Sequence, residues 1–102
     1  MAEVKFQNDG AEPDAFNLFD QDQKIGEMIV ETIGDNLKVY HTEVDDDQAG
    51  KGYAKTLLDA MADYARTNKL KVIPLCSYVA LQFKRHPDQY EDIWNQEVKP
   101  EF

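Results

Sequence analysis

The sequence predicts an α/β (α+β) fold, in which an antiparallel meander leads into one β-α-β crossover with splayed parallel strands and a final helix. Three observations predict it. Apolar and polar residues alternate along the first half, an apolar stripe with helical spacing follows, and a short apolar strand then precedes a second helical stretch. Strand, helix and strand in succession form a crossover whose strands lie parallel. We expect a single domain over residues 1–102.

Short strands broken by turns account for the first half. Val4 and Phe6 alternate with polar neighbours, and Phe16 and Leu18 do the same. The segment IGEMIVETI is rich in β-branched residues, and GDN at 34–36 is a strong turn signal. Alternation in the next strand, LKVYHTEV, predicts one face made of Leu37, Val39, His41 and Glu43. It predicts an opposite face made of Lys38, Tyr40, Thr42 and Val44.

Helical spacing dominates the second half. One stripe runs to about Thr67 and consists of Ala54, Leu57, Leu58, Met61 and Ala65. The short apolar segment LKVIPLC that follows is predicted to form a strand. Ser77 is expected to cap a second helix, YVALQFKR, which ends at His86 because Pro87 follows. A last piece, DQYEDIW, is expected to form a turn or two of helix before a polar tail.

Pro74 interrupts the second crossover strand. Proline cannot donate a hydrogen bond to a neighbouring strand, so it rarely lies inside a fully paired strand. We therefore expect the two parallel strands to part near residues 74–76. Parted strands leave backbone groups that another chain or an extended ligand can pair with, although an ordinary edge strand is the alternative.

Composition limits the classes of partner. The net charge is −9, which argues against direct nucleic-acid binding and favours cationic partners, although acidity can also serve solubility alone. No run of apolar residues is long enough for a membrane span, and there is a single cysteine, Cys76. We expect an intracellular, cytoplasmic protein, with the nucleus as the alternative compartment. His41, His86 and Cys76 have no metal-ligand spacing, so no metal is expected.

The segment AGKGYA at 49–54 places two glycines where a helix begins. A dinucleotide fingerprint requires a third glycine at Lys55, and a Walker loop requires Ser or Thr directly after Lys51. Convergence of backbone N–H groups on a phosphate remains as one interpretation, and a plain glycine turn remains as the other. The preceding residues 45–47 are aspartates, which we expect to face outward and to cap or complement the helix N-terminus.

Three segments in order resemble the GNAT (general control N-acetyltransferase) superfamily, over roughly residues 24–93. HTEV precedes the glycine loop, and the Gln/Arg-x-x-Gly-x-Gly/Ala motif aligns with Ala49, Gly52 and Ala54. KVIPLCSYVALQFKRHPDQY is similar to the small single-domain branch, in which a strand ending in Pro-x-Cys precedes a helix closed by Arg-His-Pro. Ala49 departs from the motif, because Gln or Arg is usual there.

The resemblance implies acetyl-CoA as the cofactor and coenzyme A as the product. The strand at 42–44 would pair with the pantetheine arm, and amides from Gly50 to Ala54 would hold the pyrophosphate. Lys84 or Arg85 would reach the adenosine phosphate, with a solvated helix end as the alternative. The cofactor-binding residues implied are Thr42, Glu43, Val44, Gly50, Lys51, Gly52, Tyr53, Ala54, Lys55, Ser77, Lys84 and Arg85.

The catalytic candidates are His41 and Cys76. His41 is the best candidate to take a proton from the amine, and a purely structural histidine is the alternative. Cys76 lines the pocket, or acts as nucleophile or as acid to the leaving thiolate. The family's usual acid, a tyrosine on the last helix, is in doubt because Gln82, Phe83 and Lys84 occupy the corresponding stretch.

The resemblance thus implies direct acetyl transfer to an amine acceptor, with a protein lysine or a basic peptide as candidates. A non-catalytic acyl-CoA-binding or interaction domain with the same fold is the alternative.

Overall fold

Five strands lie side by side in chain order in one sheet. The computed structural model describes residues 2–8, 10, 13–48 and 50–97. The strands are β1 (Ala2–Gln7), β2 (Asp14–Asp20), β3 (Gln23–Ile33), β4 (Asn36–Val44) and β5 (Lys71–Pro74). The helices are α1 (Tyr53–Thr67), α2 (Ser77–Arg85) and the short α3 (Pro87–Tyr90). Strands β1 to β4 are antiparallel and β5 is parallel to β4, so the predicted fold class is confirmed.

Both longer helices cover the same face of the sheet. Two parallel connections, from β4 through α1 to β5 and from β5 through α2 to residue 94, run in the same direction across the sheet. Since such connections are right-handed, α1 and α2 lie on the same side of the sheet. One buried cluster accordingly joins the two helices to the sheet. We call the opposite face, which no helix of the described residues covers, the open face; it carries Glu27, Ile29, Glu31, Lys38, Tyr40, His41 and Glu43.

A β-bulge at Tyr40 changes which side chains of β4 face the helices. His41 pairs with Ile29 and Val39 pairs with Val30, so Tyr40 is an extra residue in β4. The predicted face of Leu37, Val39, His41 and Glu43 is therefore wrong beyond Val39. Thr42 and Val44 instead share the helix-covered face with Leu37 and Val39.

The parallel strands part as predicted. Pairing between β4 and β5 runs from Asn36–Lys71 to Val39–Pro74 and ends there. The Cys76 N–H then donates to the Val39 carbonyl oxygen at 2.8 Å, which holds the start of α2 against the middle of β4. The last five residues of β4, 40–44, extend beyond the end of β5. This leaves a slot between the end of β4 and the N-terminus of α2.

A segment after α3 flanks the other edge of β5, where the sequence predicts the end of a short helix, through Trp94, and then a polar tail. The Val72 N–H donates to the Ile93 carbonyl oxygen, and the Asn95 N–H donates to the Val72 carbonyl oxygen at 2.9 Å. Arg66 on α1 holds this segment, because its Nε donates to the Asp92 carboxylate at 2.9 Å. None of the helices in the described ranges has the length and apolarity needed to cross a membrane.

The Arg66–Asp92 ion pair predicts a pH-dependent contribution to stability. Hydrogen bonding to Arg66 lowers the pKa of Asp92 below its ordinary value. The pair therefore stabilises the fold at neutral pH, and this contribution is lost as the pH falls from about 4 through the lowered pKa. Both side chains are partly exposed, so Asp92→Asn is expected to cost under about 1 kcal/mol. Urea unfolding should show this difference at neutral pH and no difference in acid; an undiminished difference in acid would contradict the assignment.

Candidate functional site

Two glycines with left-handed backbone precede α1. Gly50 has φ +83° and Gly52 has φ +79°, a region that other residues adopt only with strain. An ideal Cβ on either glycine would meet no heavy atom within 4 Å, so internal packing does not explain them. Backbone conformation does explain them. Ala49, the departure from the family motif, lies outside the described residues.

The N-terminus of α1 carries no side-chain cap. Gly52 is its N-cap residue, without a side-chain hydrogen bond, and the first turn contains no acidic residue. The expectation that the aspartates at 45–47 cap this helix is therefore wrong, because Asp46 and Asp47 belong to a separate 3₁₀ turn, Asp46–Gln48. All three aspartates are exposed, as predicted. The first N–H groups of α1 thus remain available to an anion.

The basic residues of the loop have partners of their own. Lys51 Nζ donates to Gln48 Oε1 at 3.1 Å. Lys55 Nζ donates to both carboxylate oxygens of Asp59, at 3.0 and 3.1 Å, and this hydrogen bonding raises the pKa of Lys55. Lys51 and Lys55 are exposed, whereas Tyr53 and Ala54 in the first turn are half-buried. Exposed pairs of this kind contribute little and exchange readily with other partners.

Cys76 and Thr42 meet across the slot. The Cys76 thiol is buried and donates to the Thr42 hydroxyl, with Sγ and Oγ1 3.3 Å apart. Val44 is half-buried on the same side, whereas Glu43 is exposed on the open face. Simple alternation conceals this contact, because it places Thr42 on the face opposite to Leu37. The β-bulge brings Thr42 to the same face as Leu37, and it depends on strand pairing rather than on local sequence.

His41 lies on the open face, away from Cys76. Its imidazole Nε2 is 3.6 Å from Glu43 Oε2, and both side chains are more than half exposed. Because Thr42 intervenes with the opposite orientation, the two catalytic candidates occupy opposite faces of β4. The structure therefore brings Cys76 together with Thr42 and leaves His41 beside Glu43.

The candidates on α2 are spread along the helix. Cys76 is the N-cap residue and Ser77 is the first helical residue, so the expected capping role of Ser77 is wrong. Ser77 is exposed at the slot. Lys84 and Arg85 lie in the last turn, about 10 Å further along the helix axis. The helix ends at Arg85, as Pro87 predicts.

Tyr78 lies between α1 and α2. Burial, together with the nearby Tyr90 hydroxyl, raises the pKa of Tyr78 above its ordinary value, and Lys55 opposes this effect. Its hydroxyl is therefore protonated at neutral pH. Phe83, in the stretch where the family's acidic tyrosine is expected, is fully buried in the core. No group of three or more His, Cys, Asp or Glu side chains that could hold a metal occurs in the part of the chain that the structure describes.

Comparison with known proteins identifies one family. The model of the GCN5-related N-acetyl-transferase family matches residues 15–93. A GCN5-like protein from Staphylococcus aureus, solved by NMR, is 30% identical over 90% of this chain and 86% of that chain, with a TM-score of 0.64. None of the curated proteins searched matches the chain significantly.

Two ribosomal-protein alanine N-acetyltransferases share the fold at lower identity. The Brucella melitensis enzyme is 16% identical, covers 100% of this chain and 97% of its own, and has a TM-score of 0.69. The Escherichia coli enzyme is 13% identical, with a TM-score of 0.65, over 72% of this chain and 66% of its own. This chain therefore spans just under two thirds of the length of the Escherichia coli enzyme.

Proposed function

The chain belongs to the GCN5-related N-acetyltransferase family, and from this premise we propose that it transfers an acetyl group from acetyl-CoA directly to an amine. The observation that carries the proposal is the parting of β4 and β5 at Val39 and Pro74. Residues 41–44 remain paired with β3, but the other edge of residues 40–44 has no β5 partner and lies between the uncapped start of α1 and the thiol of Cys76.

The described residues fit an acyl-CoA. The start of α1, which has no side-chain cap, and the positive end of its helix dipole suit a pyrophosphate. Lys51 and Lys55 are exposed beside them and can turn from their present partners towards phosphate. The exposed Gly50 lets the backbone approach closely.

The end of β4 fits the pantetheine arm. This arm is rich in amides and can pair with residues 42–44 as an added strand. Ser77 flanks it from α2, and Lys84 or Arg85 would meet the adenosine phosphate near the end of that helix. The exposed Glu43 contributes backbone groups rather than its carboxylate, which would repel an anion.

Acetyl-CoA supplies the thioester whose carbonyl carbon takes the amine nitrogen and whose sulfur leaves as coenzyme A. His41 removes a proton from the acceptor ammonium, because it lies exposed on the open face, where an acceptor can approach. Backbone N–H groups of β4 beyond Val39 donate to the oxygen that gains charge. The amine nitrogen loses two protons in becoming an amide: one would leave through His41, and the other would balance the proton that the departing sulfur takes up.

Cys76 serves the sulfur side of the reaction. It lies on the helix-covered side of β4, where Thr42 fixes its thiol. We assign it to lining the acetyl end and, once its S–H turns from Thr42, to protonating the leaving sulfur, with the second proton lost by the amine restoring the thiol. Direct transfer forms no acyl-cysteine, so we do not assign Cys76 as a nucleophile.

A non-catalytic acyl-CoA-binding domain is the second candidate function. The observation that favours it is that residues 82–84 contain no tyrosine to act as the acid, and Phe83 in this stretch is buried in the core. Measured turnover of acetyl-CoA with an amine distinguishes the two functions, because a binding domain has none.

His41→Gln is expected to lower kcat by about a hundredfold while the Kd for acetyl-CoA stays within about twofold, because proton transfer is lost and cofactor contacts are kept. Release of the coenzyme A thiol, measured with a panel of amines, gives kcat, and calorimetry gives Kd. Glu91→Gln, an exposed change outside the slot, is the control. A wild type that binds acetyl-CoA and acetylates no amine would favour the binding domain, and an unchanged kcat in the variant would remove His41 from the mechanism.

A further inference from the structure

We propose that a cleft beside Tyr40 on the open face holds a second cationic side chain of a basic peptide, next to the lysine that is acetylated. This inference rests on the proposed function and names its acceptor. The cleft has a volume of about 570 Å³. Its lining includes Pro13, Asp14, Ile29, Glu31 and Tyr40, and we call it the Tyr40 cleft.

The lining of the Tyr40 cleft matches an ammonium on an aliphatic stem. Glu31, which is exposed on the open face, supplies a carboxylate, and no lysine or arginine lines the cleft among the described residues. Ile29 is half-buried and offers apolar surface to methylene groups. Lys38 lies opposite Glu31 in register but forms no ion pair with it in the described part of the chain.

Tyr40 gives the cleft an oriented aromatic wall. Its hydroxyl donates to Glu31 Oε1 at 2.6 Å, and this bond raises the pKa of Tyr40, so the hydroxyl remains a donor. Tyr40 is 42% exposed, so its ring can accept a cation on its face. A carboxylate has a second oxygen, which leaves Glu31 able to bind an ammonium while it holds Tyr40.

The position of the cleft connects it to the reaction. Tyr40 directly follows Val39, the last residue of β4 that pairs with β5. A pantetheine arm that enters beside Val44 and runs back along β4 covers about 13 Å before it reaches Tyr40. Its acetyl end would then lie near Tyr40 and His41, at the border of the cleft.

The charge of the cleft assigns it to a second cation rather than to the reacting amine. Carboxylates favour the protonated form of an ammonium, whereas the reacting amine must be neutral. The rim is also open: Glu31, Thr32 and Tyr40 are exposed. Sites for small molecules usually enclose most of the ligand, so an open cleft suits a peptide that continues beyond it.

A comparison of two peptides in three proteins tests the proposal. Fluorescein-labelled peptides of lysine and glycine, with one or two lysines, are titrated into the wild type, Glu31→Gln and Glu91→Gln. The second lysine is expected to strengthen binding about fivefold in the wild type and in Glu91→Gln, and to have almost no effect in Glu31→Gln. Both variants change the net charge equally, so long-range attraction is matched.

Amide chemical shifts of the ¹⁵N-labelled wild type give a second measurement that needs no variant. The two-lysine peptide should shift residues 29–32 and Tyr40 more than the one-lysine peptide does. An equal benefit of the second lysine in all three proteins, or shifts confined elsewhere, would overturn the proposal. Equally tight binding of spermidine at these residues would overturn the peptide assignment. Failure of acetyl-CoA to bind would overturn the proposed function separately, because peptide binding is measured without it.

Discussion

Replacing Gly52 with aspartate is expected to weaken acetyl-CoA binding by at least about a hundredfold, which corresponds to about 2.7 kcal/mol. Two effects add. Gly52 has φ +79°, so any side chain strains the N-cap of α1 and displaces the N–H groups behind it. The new carboxylate also stands where the pyrophosphate is proposed to bind, and it repels that charge.

Gly34→Asp is the matched control for this substitution. Gly34 lies in the β3–β4 turn with φ +59°, and an added Cβ meets nothing within 4 Å, as at Gly52. It therefore adds the same charge with a similar backbone penalty, away from the slot. Calorimetric titration should find binding lost in Gly52→Asp and retained in Gly34→Asp. Similar affinities for acetyl-CoA in both variants would show that the glycines form an ordinary turn with no role in binding it.

Phe83→Ala is expected to lower the free energy of unfolding by about 3–5 kcal/mol. The Phe83 side chain is fully buried. Its ring stacks on Tyr90 at a centroid distance of 4.7 Å and meets Trp94 edge-on at 5.7 Å. Truncation leaves a cavity and removes the contacts that hold the segment flanking β5. Such a loss is a large part of the roughly 5–15 kcal/mol that stabilises a typical domain.

Leu81→Ala provides the reference on the same helix. Leu81 is 44% exposed, so its truncation should cost about 1 kcal/mol or less. Urea unfolding followed by circular dichroism measures both variants. A loss below about 1.5 kcal/mol in Phe83→Ala would show that the aromatic cluster is not central to the core.

Most of the fold could be predicted from the sequence, because the spacing of apolar residues and the residues that form turns can be seen within short segments. The stripe that includes Leu57 and Met61 predicts α1 almost to its observed bounds, and GDN at 34–36 marks the β3–β4 turn. Pro74 predicts the parting of β4 and β5, since its missing N–H is a property of one residue. The pairing of Val72 with residues 93–95 was not predictable in this way, because a single bridge leaves no alternation.

The candidate site was predictable only in part. The glycines at 50 and 52 and the Pro-x-Cys segment lie in recognisable motifs, and the structure places them at the start of α1 and at the slot. The orientations of His41 and Thr42 were not predictable, because one extra residue in β4 exchanges the faces of everything after it. The Tyr40 cleft depends on the same bulge.

Amide chemical-shift mapping of the ¹⁵N-labelled chain with acetyl-CoA reports both whether this ligand binds and which residues it contacts. We expect shifts that saturate and that cluster in the three segments of the proposed site, 40–44, 50–55 and 75–78. Shifts absent at millimolar acetyl-CoA, or confined to residues outside these segments, would contradict the assignment of the slot as an acyl-CoA site.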